Sequence, residues 1–161
     1  MPEIKLKLHP RMTVVGMTYR GKNEKGEVPQ LWDTLMGRQG DIENRDFNVQ
    51  AAYGISIMGP DYEDTMIFDY IAGYPVTKQP EELSDELGKF TIPEGQYAVI
   101  TCPNLASIPQ AYDAIYRYIR ESEEVTFDHS GGNFNFELYG EEFNPPAGSE
   151  KFYIYVPVKQ K

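Results

Sequence analysis

The sequence predicts an α+β fold in which two β-α-β-β repeats share one antiparallel sheet, with two main helices packed on it. Residues 28–35 (VPQLWDTL) are matched by residues 108–115 (IPQAYDAI), with the same class of residue at nearly every position. The two segments begin 80 residues apart in a chain of 161 residues. A repeat unit of half a domain cannot complete a core alone. We therefore expect a single domain with pseudo-twofold symmetry, whose functional site lies where the halves meet.

Each repeat begins with a run of β-branched and aromatic residues that is typical of a strand, at residues 12–19 and 96–102. A helix follows in both. In the second repeat Ser107 and Gln110 form a capping-box pattern with Pro109 in the first turn. Apolar residues recur at helical spacing, namely Ile108, Ala111, Tyr112, Ile115 and Ile119 in the second repeat and Val28, Leu31, Trp32 and Leu35 in the first. Gly37 and Gly40 are expected to close the first helix.

Two further strands are expected after each helix, at residues 48–58 and 65–74 and at residues 134–139 and 151–158. A Tyr-Gly pair recurs at 53–54 and 139–140 before turn-rich segments, so both strand pairs are predicted to be hairpins. The repeats then span about 10–76 and about 96–159. The polar segment 77–95 is interpreted as a connector within the domain that includes a short helix. A groove between the paired helices is a natural place for a ligand.

Composition narrows the class of protein. With 40% hydrophobic and 13% aromatic residues the chain can bury one packed core. The balance of 15 basic against 25 acidic residues gives a formal charge of −10, which disfavours direct binding to nucleic acid or to anionic membranes. One cysteine, Cys102, and an amino terminus without a signal-peptide core indicate a reducing cytoplasm. No apolar run approaches the length of a membrane span.

One strand carries a carboxylate in its middle. Side chains alternate across a strand, so in residues 134–139 (FNFELY) Asn135, Glu137 and Tyr139 share one face. Charged residues are mostly exposed, and a solvent-facing strand is one interpretation. In the other, Glu137 forms the floor of an aromatic pocket. A buried, unpaired carboxylate would attract a cation or a hydrogen-bond donor, and aromatic faces also attract organic cations.

Aromatic residues are candidates for the walls of this pocket. Trp32 and Tyr112 occupy matching places on the apolar stripes of the two helices. Either they are ordinary core residues, or they form opposing walls of a groove. Tyr153 and Tyr155 alternate with apolar residues along the last strand and must join one face of the sheet as a set. Together with Glu137 and Tyr139, these residues form the predicted ligand site.

Other motifs do not predict a site. His9 and His129 have no cysteine partners at zinc-ligand spacing. The acidic segment 61–64 lacks the placement of an EF-hand, and the glycine pair at 131–132 leads into a strand, whereas phosphate-binding loops open into helices. Cys102 lies in a strand with no nearby histidine to activate it. We expect no metal and no cofactor.

The sequence resembles a known family, the GyrI-like small-molecule-binding domain, which is also the effector-binding domain of AraC- and MerR-type bacterial regulators. The resemblance extends from about residue 12 to residue 158. It rests on four segments in order, VPQLW at 28–32, FDYIAGYPV at 68–76, FELY at 136–139 and YIYVPV at 153–158. It implies two β-α-β-β units in a curved antiparallel sheet and an aromatic pocket for lipophilic, often cationic compounds. The glutamate of that pocket maps onto Glu137.

The resemblance leaves three functions open. No residues on either side are expected to form a helix-turn-helix, so the chain would be a stand-alone domain without direct operator contact. The first hypothesis is a binding module that senses or sequesters a cationic aromatic compound, with Glu137 as the countercharge. The second is a hydrolase of reactive electrophiles in which Glu137 acts as general base. The third is a modulator of a protein partner, such as DNA gyrase or a separate regulator.

Overall fold

A long antiparallel sheet with two main helices forms the architecture of this protein, as a computed structural model shows. The structure describes residues 3–161, so Met1 and Pro2 of the expected domain lie outside it. The strands are β1 (Ile4–His9), β2 (Met12–Gly21), β3 (Ala52–Met58), β4 (Phe68–Val76), β5 (Leu87–Ile92), β6 (Gly95–Cys102), β7 (Val125–Phe127), β8 (Phe134–Tyr139), β9 (Phe143–Asn144), β10 (Ser149–Glu150) and β11 (Phe152–Gln160). The helices are α1 (Glu27–Met36), α2 (Tyr62–Thr65) and α3 (Ile108–Glu121), with short 3-10 turns at Gln39–Asp41, Leu105–Ser107 and Pro145–Ala147.

The strand order of the main sheet is symmetric about the pair β8–β3. The order is β1-β6-β11-β8-β3-β4-β2-β5, all neighbours being antiparallel, and β7 pairs with one end of β11. The predicted strands of the first repeat therefore occupy one half of the sheet and those of the second repeat the other half. The two halves meet where Gly54 of β3 lies opposite Glu137 of β8. The α+β class and the antiparallel sheet are as the sequence predicts.

Each half of the sheet receives its edge strand from the other half. Strand β1 precedes the first repeat but pairs with β6, whereas β5 precedes the second repeat but pairs with β2. The prediction of a short helix in residues 77–95 is wrong, because β5 is formed there instead. Edge strands such as β5 carry charged and glycine residues, here Gly88 and Lys89, which weaken the apolar signal of a strand. The exchanged edges tie the two halves together.

The sheet is curved, and its concave face holds an aromatic core. The rings of His9 and Tyr53 lie 6.0 Å apart between β1 and β3, and those of Phe90 and Phe134 lie 5.0 Å apart between β5 and β8. Both pairs join strands four positions apart, which a flat sheet would separate by about 19 Å. Side chains that stand on a flat sheet would not meet over that distance. The curvature therefore brings both edges towards the centre of this face.

The two long helices pack on the convex face, one on each half. Leu35 of α1 is buried with Val15 and Met17 of β2, and Ile115 of α3 is buried with Ile154 of β11. Helix α1 ends before Gly37, as predicted. The capping box at Ser107 is wrong. A 3-10 turn precedes α3, so the capping side chain lies further upstream, where Asn104 Oδ1 accepts from the Ser107 amide at 3.0 Å.

Two of the predicted strands begin later than expected. Strand β3 begins at Ala52 rather than at residue 48, and β4 begins at Phe68 rather than at residue 65. The segment between them forms the single turn of α2, which Met66 ends in a left-handed conformation with φ 61°. The hairpin β3–β4 and the antiparallel pairing of β8 with β11 are as predicted.

Candidate functional site

Glu137 lies at the junction of the two halves, on the convex face between the helices. In the sheet it is flanked by Ile154 of β11 and Gly54 of β3, both of which face the helices. Only 8% of Glu137 is exposed. The interpretation of this strand face as simply solvated is therefore wrong, and the carboxylate must be stabilised by groups of the protein.

Three tyrosine hydroxyls supply that stabilisation. Tyr139 and Tyr70 donate to Glu137 Oε1 at 2.6 and 3.1 Å. Tyr112 lies 3.2 Å from Oε2. None of the lysine and arginine residues within residues 3–161 forms a salt bridge with Glu137. The charge of the carboxylate is thus held by neutral donors alone.

Both helices contribute an aromatic side chain to this network. From α1, Trp32 donates its indole N–H to the hydroxyl of Tyr70 at 3.1 Å, and its ring meets that of Tyr139 edge-on at 5.4 Å. From α3, Tyr112 reaches the carboxylate directly. Trp32, Tyr112 and Tyr139 are each only half-buried. The structure therefore brings together four predicted site residues, and their aromatic side chains fill the space above Glu137 between the two helices.

Tyr70 reaches the carboxylate across a glycine. A Cβ atom on Gly54 would lie 2.0 Å from the hydroxyl oxygen of Tyr70 and 3.1 Å from Glu137 Oε1. Only a residue without a side chain leaves room for this hydrogen bond. Sequence reasoning missed both residues, because their relation to Glu137 depends on the registers of β3 with β4 and with β8.

A second polar residue, Asn135, lies beside the carboxylate on the same strand face and is 4% exposed. Its Oδ1 is 3.1 Å from the Tyr112 hydroxyl, and its Nδ2 donates to the hydroxyl of Tyr116 at 2.8 Å. Tyr112 and Tyr116 stack one turn apart on α3, with ring centroids 6.0 Å apart. The alternation of β8 predicts Asn135 on this face, but its partners Tyr112 and Tyr116 could not be predicted from that pattern.

Burial sets the protonation of the site. Removal from water raises the pKa of Glu137, although the hydrogen bonds from Tyr139, Tyr70 and Tyr112 act in the opposite direction. Burial and the nearby carboxylate charge raise the pKa of all three tyrosines, which therefore remain hydrogen-bond donors. The same two causes raise the pKa of the Cys102 thiol to about 12, so it is not an activated nucleophile.

Tyr153 and Tyr155 do not join this site. Strand β11 places Ile154 beside Glu137, so its odd-numbered neighbours point to the concave face. Tyr155 stacks there on Phe136 at 4.7 Å, and Tyr153 donates to Glu142 at 2.5 Å. Of the six residues predicted to form one site, the structure thus brings together Glu137, Trp32, Tyr112 and Tyr139, with Tyr70 added, and places Tyr153 and Tyr155 on the opposite face.

The recurring Tyr-Gly pairs are not structural equivalents. Tyr53 lies on the concave face, where its hydroxyl is 3.1 Å from His9 Nε2, whereas Tyr139 lies on the convex face. A shift of one residue in register exchanges the faces of a strand. The sequence match at this position therefore does not extend to the direction of the side chains.

The described residues also bear on other kinds of site. Within residues 3–161 no helix is long and apolar enough to cross a membrane. The same part of the chain contains no group of three or more His, Cys, Asp or Glu side chains placed to hold a metal ion. Two open surface depressions, of about 530 and 630 Å³, lie beside Pro75 and Leu83 and do not include Glu137.

The fold, with its two related halves and Glu137 at their junction, agrees with a known family. The chain belongs to the family of integron-associated effector-binding proteins, whose model matches residues 5–158. The resemblance to GyrI-like small-molecule-binding domains is thereby confirmed. The transcriptional regulator BrlR of Pseudomonas aeruginosa is 26% identical over 151 residues. The match covers 92% of this chain and 53% of BrlR, so the chain spans about half the length of that relative.

Solved structures show the same fold. SAV2435 bound to tetraphenylphosphonium superposes with a TM-score of 0.69 at 17% identity, covering 98% of this chain and 94% of that one. The C-terminal domain of EcmrR superposes with a TM-score of 0.74 at 11% identity, covering 100% of this chain and 99% of that one. Identities this low establish the architecture alone.

Proposed function

We propose that this domain binds lipophilic organic cations at Glu137 and so senses or sequesters them. The observation that supports the proposal most strongly is a buried carboxylate whose partners within residues 3–161 are tyrosine hydroxyls and no basic side chain. A cation entering the site would supply the missing countercharge. The rings of Trp32, Tyr112 and Tyr139 would add apolar contact and cation–π attraction.

Binding requires the aromatic side chains above Glu137 to move. Both carboxylate oxygens accept hydrogen bonds in this arrangement, Oε1 from two tyrosines and Oε2 from Tyr112. A ligand would displace one or more of these hydroxyls and pack between the rings. Trp32, Tyr112 and Tyr139 are half-buried, so each has part of its surface in contact with solvent, from which a ligand can approach. We therefore propose that the site opens between α1 and α3.

Proteins that are similar to this chain support the proposal. SAV2435 was solved with tetraphenylphosphonium, a lipophilic cation. BrlR is a transcriptional regulator, about half of which is matched by this chain. We propose that the domain described here is a ligand-sensing part of such a system, acting on its target through a protein partner rather than by binding DNA itself.

The test compares a cation with a neutral compound of similar shape. Methyltriphenylphosphonium and triphenylphosphine oxide each present three phenyl rings, but only the first is charged. We expect Glu137→Gln to weaken binding of the cation at least about tenfold, since close charge pairs at interfaces couple by about 1.5 kcal/mol or more, and to change binding of the neutral compound little.

Isothermal titration calorimetry gives both affinities. Glu141→Gln is the matched control, because Glu141 is exposed and its loss changes the net charge equally without touching the site. Equal losses for the two compounds in Glu137→Gln, or equal effects of the two substitutions on the cation, would overturn the proposal.

A hydrolase is the second candidate. A pKa raised by burial suits Glu137 to accept a proton from water, and the Tyr139 hydroxyl at 2.6 Å is placed to donate to a leaving oxygen. Incubation with an aryl epoxide, followed by chromatography of the diol, tests this reaction. Several diols per protein molecule, lost in Glu137→Gln, would support it, and a single stoichiometric complex would exclude it.

A further inference from the structure

The hydroxyl of Tyr112 occupies a position between two acceptors on β8. Its oxygen is 3.1 Å from Asn135 Oδ1 and 3.2 Å from Glu137 Oε2. A phenol carries one proton and can satisfy only one of them at a time. The position is therefore better matched by a group with at least two hydrogens to donate.

The amide of Asn135 presents its oxygen to this position. Its Nδ2 donates to the Tyr116 hydroxyl at 2.8 Å. The ring of Tyr116 packs in turn against that of Phe127, with ring centroids 5.8 Å apart. Asn135 is 4% exposed, and its Oδ1 and the Oε2 atom of Glu137 both face the Tyr112 hydroxyl.

We infer that Asn135 and Glu137 together form a two-acceptor subsite that selects cations carrying N–H groups, such as primary or secondary ammonium and amidinium ions. The ligand nitrogen takes the place of the Tyr112 hydroxyl and donates one hydrogen to each oxygen. A tetrasubstituted ammonium or phosphonium ion meets the charge of Glu137 but cannot use Asn135. Asn135 is then a specificity-determining residue, and Tyr116 positions it. This inference rests on the proposed function of the Glu137 site.

The experiment uses two probes that differ only in their N–H groups, 2-naphthylmethylammonium and its N,N,N-trimethyl derivative. The two ions differ in hydration, so the ratio of their affinities in the native protein is not by itself decisive. The change of that ratio on mutation is decisive, because the hydration of each free probe cancels. We measure both affinities by calorimetry at pH 7 in the native protein, Asn135→Leu and Tyr116→Phe.

Asn135→Leu keeps the size of the side chain and removes the acceptor. We expect the primary ammonium to lose about tenfold in affinity relative to the trimethyl probe, the value of one hydrogen bond to a charged group. Tyr116→Phe, which releases the amide without removing it, should produce a smaller loss in the same direction. Ser56→Ala is the control, since Ser56 lies opposite Asn135 in β3 and should leave the ratio unchanged.

The outcomes separate this inference from the proposed function. Equal losses for the two probes in both variants would overturn the two-acceptor subsite while leaving a cation site at Glu137. Failure of both probes to bind the native protein would overturn the two together. Should Asn135→Leu not fold, as judged by circular dichroism, the ratio in Tyr116→Phe decides the question by the same criterion.

Discussion

At the scale of single residues, Glu137 combines two opposing demands. Burial disfavours its charged form, and three tyrosine hydroxyls favour it. The first effect is larger, so the pKa of Glu137 in the folded protein lies above the ordinary value of 4.5. The native state holds this proton more tightly than the unfolded chain does. The protonated carboxyl of Glu137 therefore contributes its full stability below the pKa that it has in the unfolded chain. This stability is lost as pH rises through the pKa that Glu137 has in the folded protein.

Glu137→Gln should consequently stabilise the protein at pH 7, because the raised pKa of the native glutamate reduces the free energy of unfolding at that pH. At pH 4, where that glutamate is largely protonated, the two proteins should have nearly equal unfolding free energies. Urea titrations at the two pH values measure this difference. A variant that is destabilised equally at both pH values would show that the carboxylate is a net structural support.

Substitution of Gly54 is a separate test of the hydrogen bond between Tyr70 and Glu137. In Gly54→Ala the new Cβ would lie 2.0 Å from the Tyr70 hydroxyl, so the buried ring must shift and its hydrogen bond to Glu137 is lost. We expect a loss of about 1–3 kcal/mol of unfolding free energy, as for other overpacked cores. Gly95→Ala is the control, because a Cβ at Gly95 meets nothing within 4 Å. Equal effects of the two substitutions on the urea midpoint would contradict this account.

The sequence predicted the site in part, and the reason is geometric. Alternation along one strand placed Glu137 and Tyr139 on a common face, and helical spacing placed Trp32 and Tyr112 above it. These are local relations. Tyr70 and the exclusion of Tyr155 depend instead on which residues face one another across strands, and that register is set by pairings distant in the chain.

At the scale of elements, β2 and β4 approach each other unusually closely at a pair of glycines. Gly16 lies opposite Gly73, and a Cβ on Gly16 would lie 1.9 Å from the Ala72 carbonyl oxygen. The obstacle is backbone, which cannot move aside as a side chain can. The close approach of β2 and β4 at this point thus depends on two residues without side chains.

Gly16→Ala should therefore destabilise the protein by about 3 kcal/mol, the upper end of the range for overpacking. Thermal unfolding followed by circular dichroism measures the change. Gly40→Ala provides a comparison, since a Cβ at Gly40 meets nothing within 4 Å. A melting temperature for Gly16→Ala within one degree of the native value would refute the close approach.

Elements in the interior of the sheet were predicted well, and elements at its edges were not. Strands β6 and β11 carry long apolar runs because both of their faces are buried, one against α3 and the other in the aromatic core. Strand β1 alternates lysine with apolar residues, and β5 contains Gly88 and Lys89. Charged residues on edge strands prevent pairing with other molecules. The same charges interrupt the apolar pattern from which a strand is predicted.

At the scale of the whole molecule, the exchange of β1 and β5 makes each half depend on the other. Neither half retains its edge strand if the other unfolds. Trp32 of α1 also packs on Tyr139 of β8, so its environment reports on the junction between the halves. The architecture predicts a single cooperative unit.

Urea unfolding monitored by Trp32 fluorescence and by far-ultraviolet circular dichroism should give one coincident transition. The first signal follows the junction and the second follows the entire sheet and its helices. Two separated midpoints would show that the halves unfold independently and would contradict the interlocked arrangement.

The proposed function requires the charge of Glu137 to attract the ligand. The most direct test is the pH dependence of the affinity for methyltriphenylphosphonium, because this probe has no group that titrates. In the native protein the affinity should fall as pH is lowered, with a midpoint above the ordinary glutamate pKa, because burial raises the pKa of Glu137. In Glu137→Gln the affinity should be weak and independent of pH. Identical pH profiles in the two proteins would contradict the claim.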